Sequence, residues 1–95
     1  NNFMYNDEQQ MRIKLRLGPL SANIIQEEYP ISATYISKDN DTHWILELDV
    51  CSYIGIGRFV MGLFSDIEVL EDSGFCKYIH DKVKEMEEKI KNTPW

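Results

Sequence analysis

The sequence predicts a single α+β domain built from four strands and three helices. Two stretches, 11–17 and 43–50, alternate between apolar and polar residues, which is the period of a strand with one buried face. Two others, 52–64 and 73–91, carry apolar residues at the three- and four-residue spacing of helices. The 95 residues have the length of one domain, and 43% hydrophobic with 27% charged residues is typical of a globular protein.

The first strand, 11–17, alternates apolar side chains with basic ones, and a Gly-Pro pair ends it. The apolar spacing of the next stretch predicts a short amphipathic helix over 20–29 with Leu20 on its buried face. Pro30 ends this helix, because the residue before a proline is disfavoured in the helical conformation.

The next two strands are predicted to form a hairpin. Residues 32–38 favour β structure but have mixed polarity, as in an edge strand, and 39–41 is a cluster of turn residues. The third strand is 43–50. Its core-facing residues are Trp44, Leu46, Leu48 and Val50, and its other face carries His43, Ile45, Glu47 and Asp49.

Two helices flank the last strand, 67–71. The first, 52–64, has a wide apolar face that includes Phe64, and we interpret its three glycines as positions of close approach to the sheet. The second, 73–91, is long and amphipathic. Its apolar stripe contains Phe75, Ile79, Val83, Met86 and Ile90, and Glu85–Lys89 and Glu87–Lys91 are predicted ion pairs one turn apart.

The order β-α-β-β-α-β followed by a third helix is that of a ferredoxin-like fold. Two right-handed crossovers then give an antiparallel sheet with strand order 4-1-3-2 and both crossover helices on one face. We expect residues 1–10 to be a linker from an upstream domain, 11–92 to be the domain and 93–95 a tail. The chain begins with Asn1 rather than Met, so we expect a fragment of a longer protein.

Composition argues against several classes of protein. A net charge of −6 and a pI near 4.8 disfavour direct binding of nucleic acid by this domain. No apolar segment approaches the ~20 residues of a membrane span. Cys51 and Cys76 match no metal or redox spacing, and two reduced thiols indicate a cytoplasmic protein.

The sequence offers little chemistry, and we predict neither an enzyme nor a bound cofactor or metal. Gly55, Gly57 and Gly62 resemble a dinucleotide-binding loop, but Val60 stands where that motif needs its third glycine. His43 lies in a predicted strand and the other histidine in a predicted helix, and no third ligand follows at metal spacing.

The outer face of the sheet is the candidate binding surface. The seven residues of the candidate effector- or partner-binding set are Arg12, Lys14, Arg16, His43, Glu47, Asp49 and, on the glycine-containing helix, Arg58. Three aligned cations could hold an anionic ligand. Alternatively, cross-strand pairs between these cations and the two carboxylates would make the face charge-balanced and hydrated.

Several segments resemble the C-terminal extension (WCX-type) domain of WYL-domain helix-turn-helix transcriptional regulators. They are the strand MRIKLRL, the segment HWILELDV, the helix SYIGIGRFVMGLF and the strand DIEVLED, which follow one another within residues 11–91. The resemblance implies a bacterial regulator with an N-terminal DNA-binding domain and a central WYL domain that senses a nucleotide or nucleic acid. No WYL triplet occurs in this chain, so no ligand-binding residue is carried over.

The resemblance implies a non-catalytic regulatory and dimerisation domain. Its expected partners are the upstream WYL and helix-turn-helix domains and a second copy in a homodimer, with DNA contacted only through the parent protein. The effector is not specified. The alternative, from a different class, is a stand-alone small-molecule sensor built on a ferredoxin-like sheet.

Overall fold

The computed structural model describes residues 10–94, which form an α+β domain with a four-stranded antiparallel sheet. In chain order the elements are β1 (Met11–Leu17), α1 (Pro19–Glu28), a 3₁₀ helix (Pro30–Tyr35), β2 (Ile36–Lys38), β3 (Trp44–Val50), α2 (Ile54–Gly62), a 3₁₀ turn (Phe64–Asp66), β4 (Ile67–Glu71) and α3 (Ser73–Ile90). Asn1 to Gln9, most of the predicted linker, and Trp95 of the predicted tail lie outside the described residues.

The strand order is β2-β3-β1-β4, which confirms the predicted order read from the opposite edge. β1 pairs with β3 along its whole length, and Arg12 lies opposite Asp49 and Lys14 opposite Glu47. The pairing of β1 with β4 shifts register after Lys14, next to Leu15. The two strands with the clearest alternation are therefore the central ones.

The core lies between one face of the sheet and the three α-helices. β1 and β3 alternate as predicted, so that each strand contributes one apolar row to it. The buried apolar residues are Ile13, Leu15, Leu17, Ala22, Ile25, Leu46, Leu48, Val50, Ile56, Val60, Ile67 and Phe75. All of them belong to one continuous cluster, so the helices pack on the same side of the sheet.

The prediction that Leu20 is buried is wrong, because a distant carboxylate fixes the first turn of α1. The backbone N–H of Ser21 donates a 2.6 Å hydrogen bond to the carboxylate of Asp66, and Gly18 N–H donates to the Asp66 carbonyl at 2.9 Å. This places Ser21 inside and leaves Leu20 53% exposed.

The bounds of β2 and α2 differ most from the predicted ones. β2 has three residues rather than seven, since the chain from Pro30 to Tyr35 forms a 3₁₀ helix. The Ser32 side chain is buried there and donates to the Ile25 carbonyl at 3.3 Å, which ties this segment to α1. α2 ends at Gly62, so Phe64 falls in the following turn and is 76% exposed instead of facing the core.

The close approach predicted for the glycines is found at Gly57, but there α2 approaches α3 rather than the sheet. A Cβ atom on Gly57 would lie 2.7 Å from Cε2 of Tyr78, so the missing side chain lets the two helices cross closely. Gly62 is different, because a Cβ there would meet no described atom within 4 Å.

Candidate functional site

The outer face of the sheet carries five of the seven predicted binding residues, and three of them, Arg12, Arg16 and Asp49, form ion pairs there. Arg12 Nε lies 3.1 Å from Asp49 Oδ1. Arg16 contacts two acids, with Nε 2.9 Å from Asp39 Oδ2 and Nη1 3.0 Å from Glu68 Oε1. The hydrogen bond to Asp39 and then that to Glu68 raise the pKa of Arg16. Both arginines therefore already have anionic partners.

Lys14 is the remaining cation of this row. It lies opposite Glu47 on β3 and opposite Glu71 on β4, although no carboxylate of residues 10–94 comes within 4 Å of its ammonium group. Acidic side chains thus surround the row on both neighbouring strands. An anionic ligand would have to displace or neutralise them, so the geometry favours the charge-balanced interpretation of this face.

The other two members of the predicted set lie elsewhere. His43 is at the end of the β2–β3 connection, where its Nδ1 is 2.9 Å from Thr42 Oγ1. Arg58 is an exposed residue of α2, and α2 packs on the helical side of the sheet. The structure therefore does not bring Arg58 to the outer face.

Neither a metal centre nor a disulfide is found in the part of the chain that the structure describes. No group of three or more His, Cys, Asp or Glu residues within 10–94 is placed to hold a metal ion. Cys76 is exposed, Cys51 is half-buried, and neither forms a disulfide. No helix among the same residues has both the length and the apolar character needed to cross a bilayer.

The start of α3 is fixed by a polar and aromatic cluster. The Asp72 carboxylate caps the helix by accepting the Phe75 backbone N–H at 2.8 Å, and it also accepts the Tyr53 hydroxyl at 3.0 Å. The rings of Tyr53 and Phe75 are 5.3 Å apart, and those of Tyr53 and Tyr78 are 5.7 Å apart. These contacts hold α3 at a defined angle to α2.

Past this cluster, α3 leaves the core. The helix has 18 residues and is about 27 Å long at 1.5 Å per residue. Phe75 is fully buried and Ile79 packs against the core, but Val83, Met86 and Ile90 are 51%, 52% and 54% exposed. These three residues continue the same face of the helix, and we refer to them as the overhanging stripe.

Charged residues border the overhanging stripe on both sides. At 100° per residue, Lys82 and Lys89 lie along one border and Glu87 along the other. Lys82 is 3.9 Å from Glu85 and 5.7 Å from the centre of the Tyr78 ring.

The two ion pairs predicted for this helix are not formed. Lys91 contacts Glu88 at 3.2 Å instead of Glu87, and Glu85 is the partner of Lys82 instead of Lys89. Within residues 10–94, no salt bridge is found for Glu87 or Lys89. Glu87 and Lys89 are therefore available to a partner, whereas Lys82 is already paired with Glu85.

A shallow cleft opens between α1 and the start of β3. Its volume is about 290 Å³, and it is lined by Pro19, Ala22, Asn23, Gln26 and Trp44. The Gln26 amide group donates to the Ala22 carbonyl at 3.0 Å. Small-molecule pockets usually measure about 300–1,000 Å³, so this cleft is at the lower limit of that range.

Comparison with protein-family models, curated proteins and solved structures found no match.

The sequence pattern indicated the outer sheet face as a candidate surface but did not indicate the overhanging stripe. The helical spacing was visible in the sequence, and the length of α3 was the signal that part of the stripe could extend beyond the core. β4 is five residues long, about 17 Å, whereas α3 is about 10 Å longer.

Proposed function

We propose that the chain is a non-catalytic regulatory and dimerisation domain of a larger, cytoplasmic WYL-type transcriptional regulator, with a ferredoxin-like fold. The resemblance described above supports the family and the regulatory context, in which DNA is contacted by upstream domains. The observed strand order and the helices on one face of the sheet support the ferredoxin-like topology.

The main support for an interaction function is the exposure of the overhanging stripe. Three large apolar side chains in one row, each about half exposed, form the kind of surface that marks a protein contact. Fully burying such a side chain contributes about 1.5–3 kcal/mol. Covering the three half-exposed residues in each of two copies is then worth roughly 4–9 kcal/mol before the cost of association.

That cost is about 4–15 kcal/mol, so we expect a weak dimer that forms at high protein concentration. The outer sheet face is the less favoured candidate for the contact, because its arginines are paired within the domain. Nucleotide or nucleic-acid sensing by the parent protein is part of the same proposal, with this domain in a supporting role.

Sedimentation equilibrium over a range of protein concentrations tests the dimer. The wild-type domain should show a mass that rises with concentration, and Met86→Glu should remain a monomer because it places a carboxylate in the middle of the stripe. Lys84→Gln is the matched control, since it also lowers the net charge by one but lies on the polar side of α3. A wild-type domain that stays monomeric throughout would overturn the proposal.

The cleft beside Trp44 supports a second candidate, a small-molecule sensor. It combines an aromatic side chain with the amide side chains of Asn23 and Gln26, which is a common way to orient a small polar ligand. A thermal-shift screen with nucleotides and amino acids tests this function. A compound that raises the Tm of the wild type but not of Asn23→Ala would support it, and a screen without any such compound would contradict it.

A further inference from the structure

One face of α1 and the first residue of β3 line the shallow cleft described above. Pro19, Ala22, Asn23 and Gln26 follow one another at the three- and four-residue spacing that places side chains on the same side of a helix. Trp44 is half-buried and lines the cleft from the sheet. The cleft therefore combines two carboxamide side chains on α1 with one flat aromatic ring on β3.

The polar groups of the cleft have unused hydrogen-bonding capacity. Gln26 donates one side-chain N–H to the Ala22 carbonyl at 3.0 Å, which leaves its second N–H and its carbonyl oxygen. The side chains of Asn23 and Trp44 form no hydrogen bond with any residue in the range 10–94. A carboxamide offers a donor and an acceptor side by side, so Asn23 and Gln26 are suited to a ligand edge that also has both.

The lining of the cleft carries no charge, and this limits the class of ligand. Helix N-termini often bind phosphate, but Pro19 has no N–H and Ser21 donates its N–H to the Asp66 carboxylate at 2.6 Å. Lys38 is the neighbour of Trp44 on β2, but its ammonium group is 3.9 Å from a carboxylate of the following turn and does not line the cleft. An anionic ligand therefore finds no cation in the lining and a helix N-terminus that already holds a carboxylate.

From this chemistry we propose that the cleft binds an uncharged planar heterocycle with an amino group beside a ring-nitrogen acceptor, as in adenine. The ring stacks on Trp44, and the carboxamides of Asn23 and Gln26 pair with the amino group and the ring nitrogen, as these side chains do with adenine in DNA. At about 290 Å³ the cleft suits a single ring system. This inference rests on the small-molecule sensor function proposed above and names its ligand class.

Titration of the domain with adenosine, followed by NMR, tests the ligand class. The indole N–H signal of Trp44 and the side-chain amide signals of Asn23 and Gln26 should shift together, with a Kd on the order of 1 mM because few groups are covered. Inosine has an acceptor in place of the amino group and should bind at least about fivefold more weakly. AMP should bind no more tightly than adenosine. Inosine binding as tightly as adenosine, or AMP binding more tightly, would overturn the proposal.

Three variants test the individual contacts. Trp44→Ala removes the stacking ring and Asn23→Ala an exposed carboxamide, and each should raise the Kd for adenosine at least about fivefold. Circular dichroism checks the fold of Trp44→Ala, because Trp44 also packs against the core. Lys38→Gln is the control and should leave the Kd unchanged. An unchanged Kd for Asn23→Ala, whose fold does not depend on this side chain, would overturn the proposal.

The same signals separate this inference from the sensor function on which it rests. If adenosine shifts none of them but a compound of another class does, the heterocycle is rejected and the sensor function stands. If no compound shifts them, both are rejected.

Discussion

The hydroxyl of Tyr53 donates a 3.0 Å hydrogen bond to the carboxylate of Asp72, and this contact joins the start of α2 to the start of α3. The same carboxylate caps α3 through the Phe75 backbone N–H. One acidic side chain thus determines both where the long helix begins and how it is held against its neighbour. The direction in which the overhanging stripe leaves the domain follows from this arrangement.

Asp72→Ala should destabilise the domain by about 1–3 kcal/mol, because it removes the helix cap and leaves Tyr53 without its acceptor. Urea unfolding followed by circular dichroism measures this change. Asp72→Asn keeps an acceptor at the cap and should cost less. Equal stability of the alanine variant and the wild type would show that the cap does not fix the start of α3.

Tyr53 should make stability depend on pH at the alkaline end. Burial and, after it, the hydrogen bond to Asp72 raise the pKa of Tyr53 above its ordinary value near 10. The folded protein therefore retains the phenol proton at pH values where the unfolded chain loses it. This contribution is fully present below about pH 10 and is lost as the pH rises through the folded pKa.

The test is urea unfolding between about pH 9 and pH 11. The free energy of unfolding should fall more steeply with pH for the wild type than for Tyr53→Phe, which has no phenol to titrate at this position. Parallel pH profiles for the two proteins would contradict the assigned pKa shift.

Gly57→Ala and Gly62→Ala should have opposite effects. Alanine favours the interior of a helix over glycine by about 1 kcal/mol, and by less at Gly62, which is the last residue of α2. At Gly57 the new methyl group would meet the Tyr78 ring at 2.7 Å, so we expect a net loss of about 1–2 kcal/mol from overpacking. At Gly62 an added methyl group would meet no described atom within 4 Å apart from its chain neighbours and the backbone of its own helix, and the variant should be up to about 1 kcal/mol more stable.

Thermal or urea unfolding of the two variants and the wild type measures the changes in stability directly. If Gly57→Ala were as stable as Gly62→Ala, the close crossing of α2 and α3 would not be a feature of the folded protein.

Replacing Arg12, Lys14 and Arg16 together by Gln should leave a folded domain with a cooperative unfolding transition. These side chains are on the outer face and contribute surface ion pairs, which usually add little to stability. A triple variant that does not fold would show that the row is structural.

The strand order could be predicted because β1 and β3 each place one unbroken apolar row on the core face. The exposure of Leu20 could not be predicted in the same way. The rotation of α1 about its own axis depends on a hydrogen bond between Ser21 and Asp66, which are 45 residues apart in sequence. The shortness of β2 depends in part on Ser32, whose hydroxyl bonds to α1. A contact between distant residues decided the first case, and a contact between neighbouring elements seven residues apart contributed to the second.

For the candidate site, the sequence predicted which residues share the outer face but not which acids they contact. Asp39 and Glu68 both reach Arg16, and they come from the β2–β3 turn and from β4. The stripe of α3 was predicted as a helical face. Its division into a buried half and an exposed half depends on where α3 crosses α2 at Gly57 and Tyr78, which is a tertiary feature.

We propose that the overhanging stripe is a protein-binding surface. The most direct test is the NMR signal of the Met86 side-chain methyl group, followed from dilute to concentrated protein. This signal should shift with concentration together with those of Val83 and Ile90, while the methyl signals of Ile45 on the outer sheet face stay constant. Shifts at Ile45 with none at Met86 would contradict it.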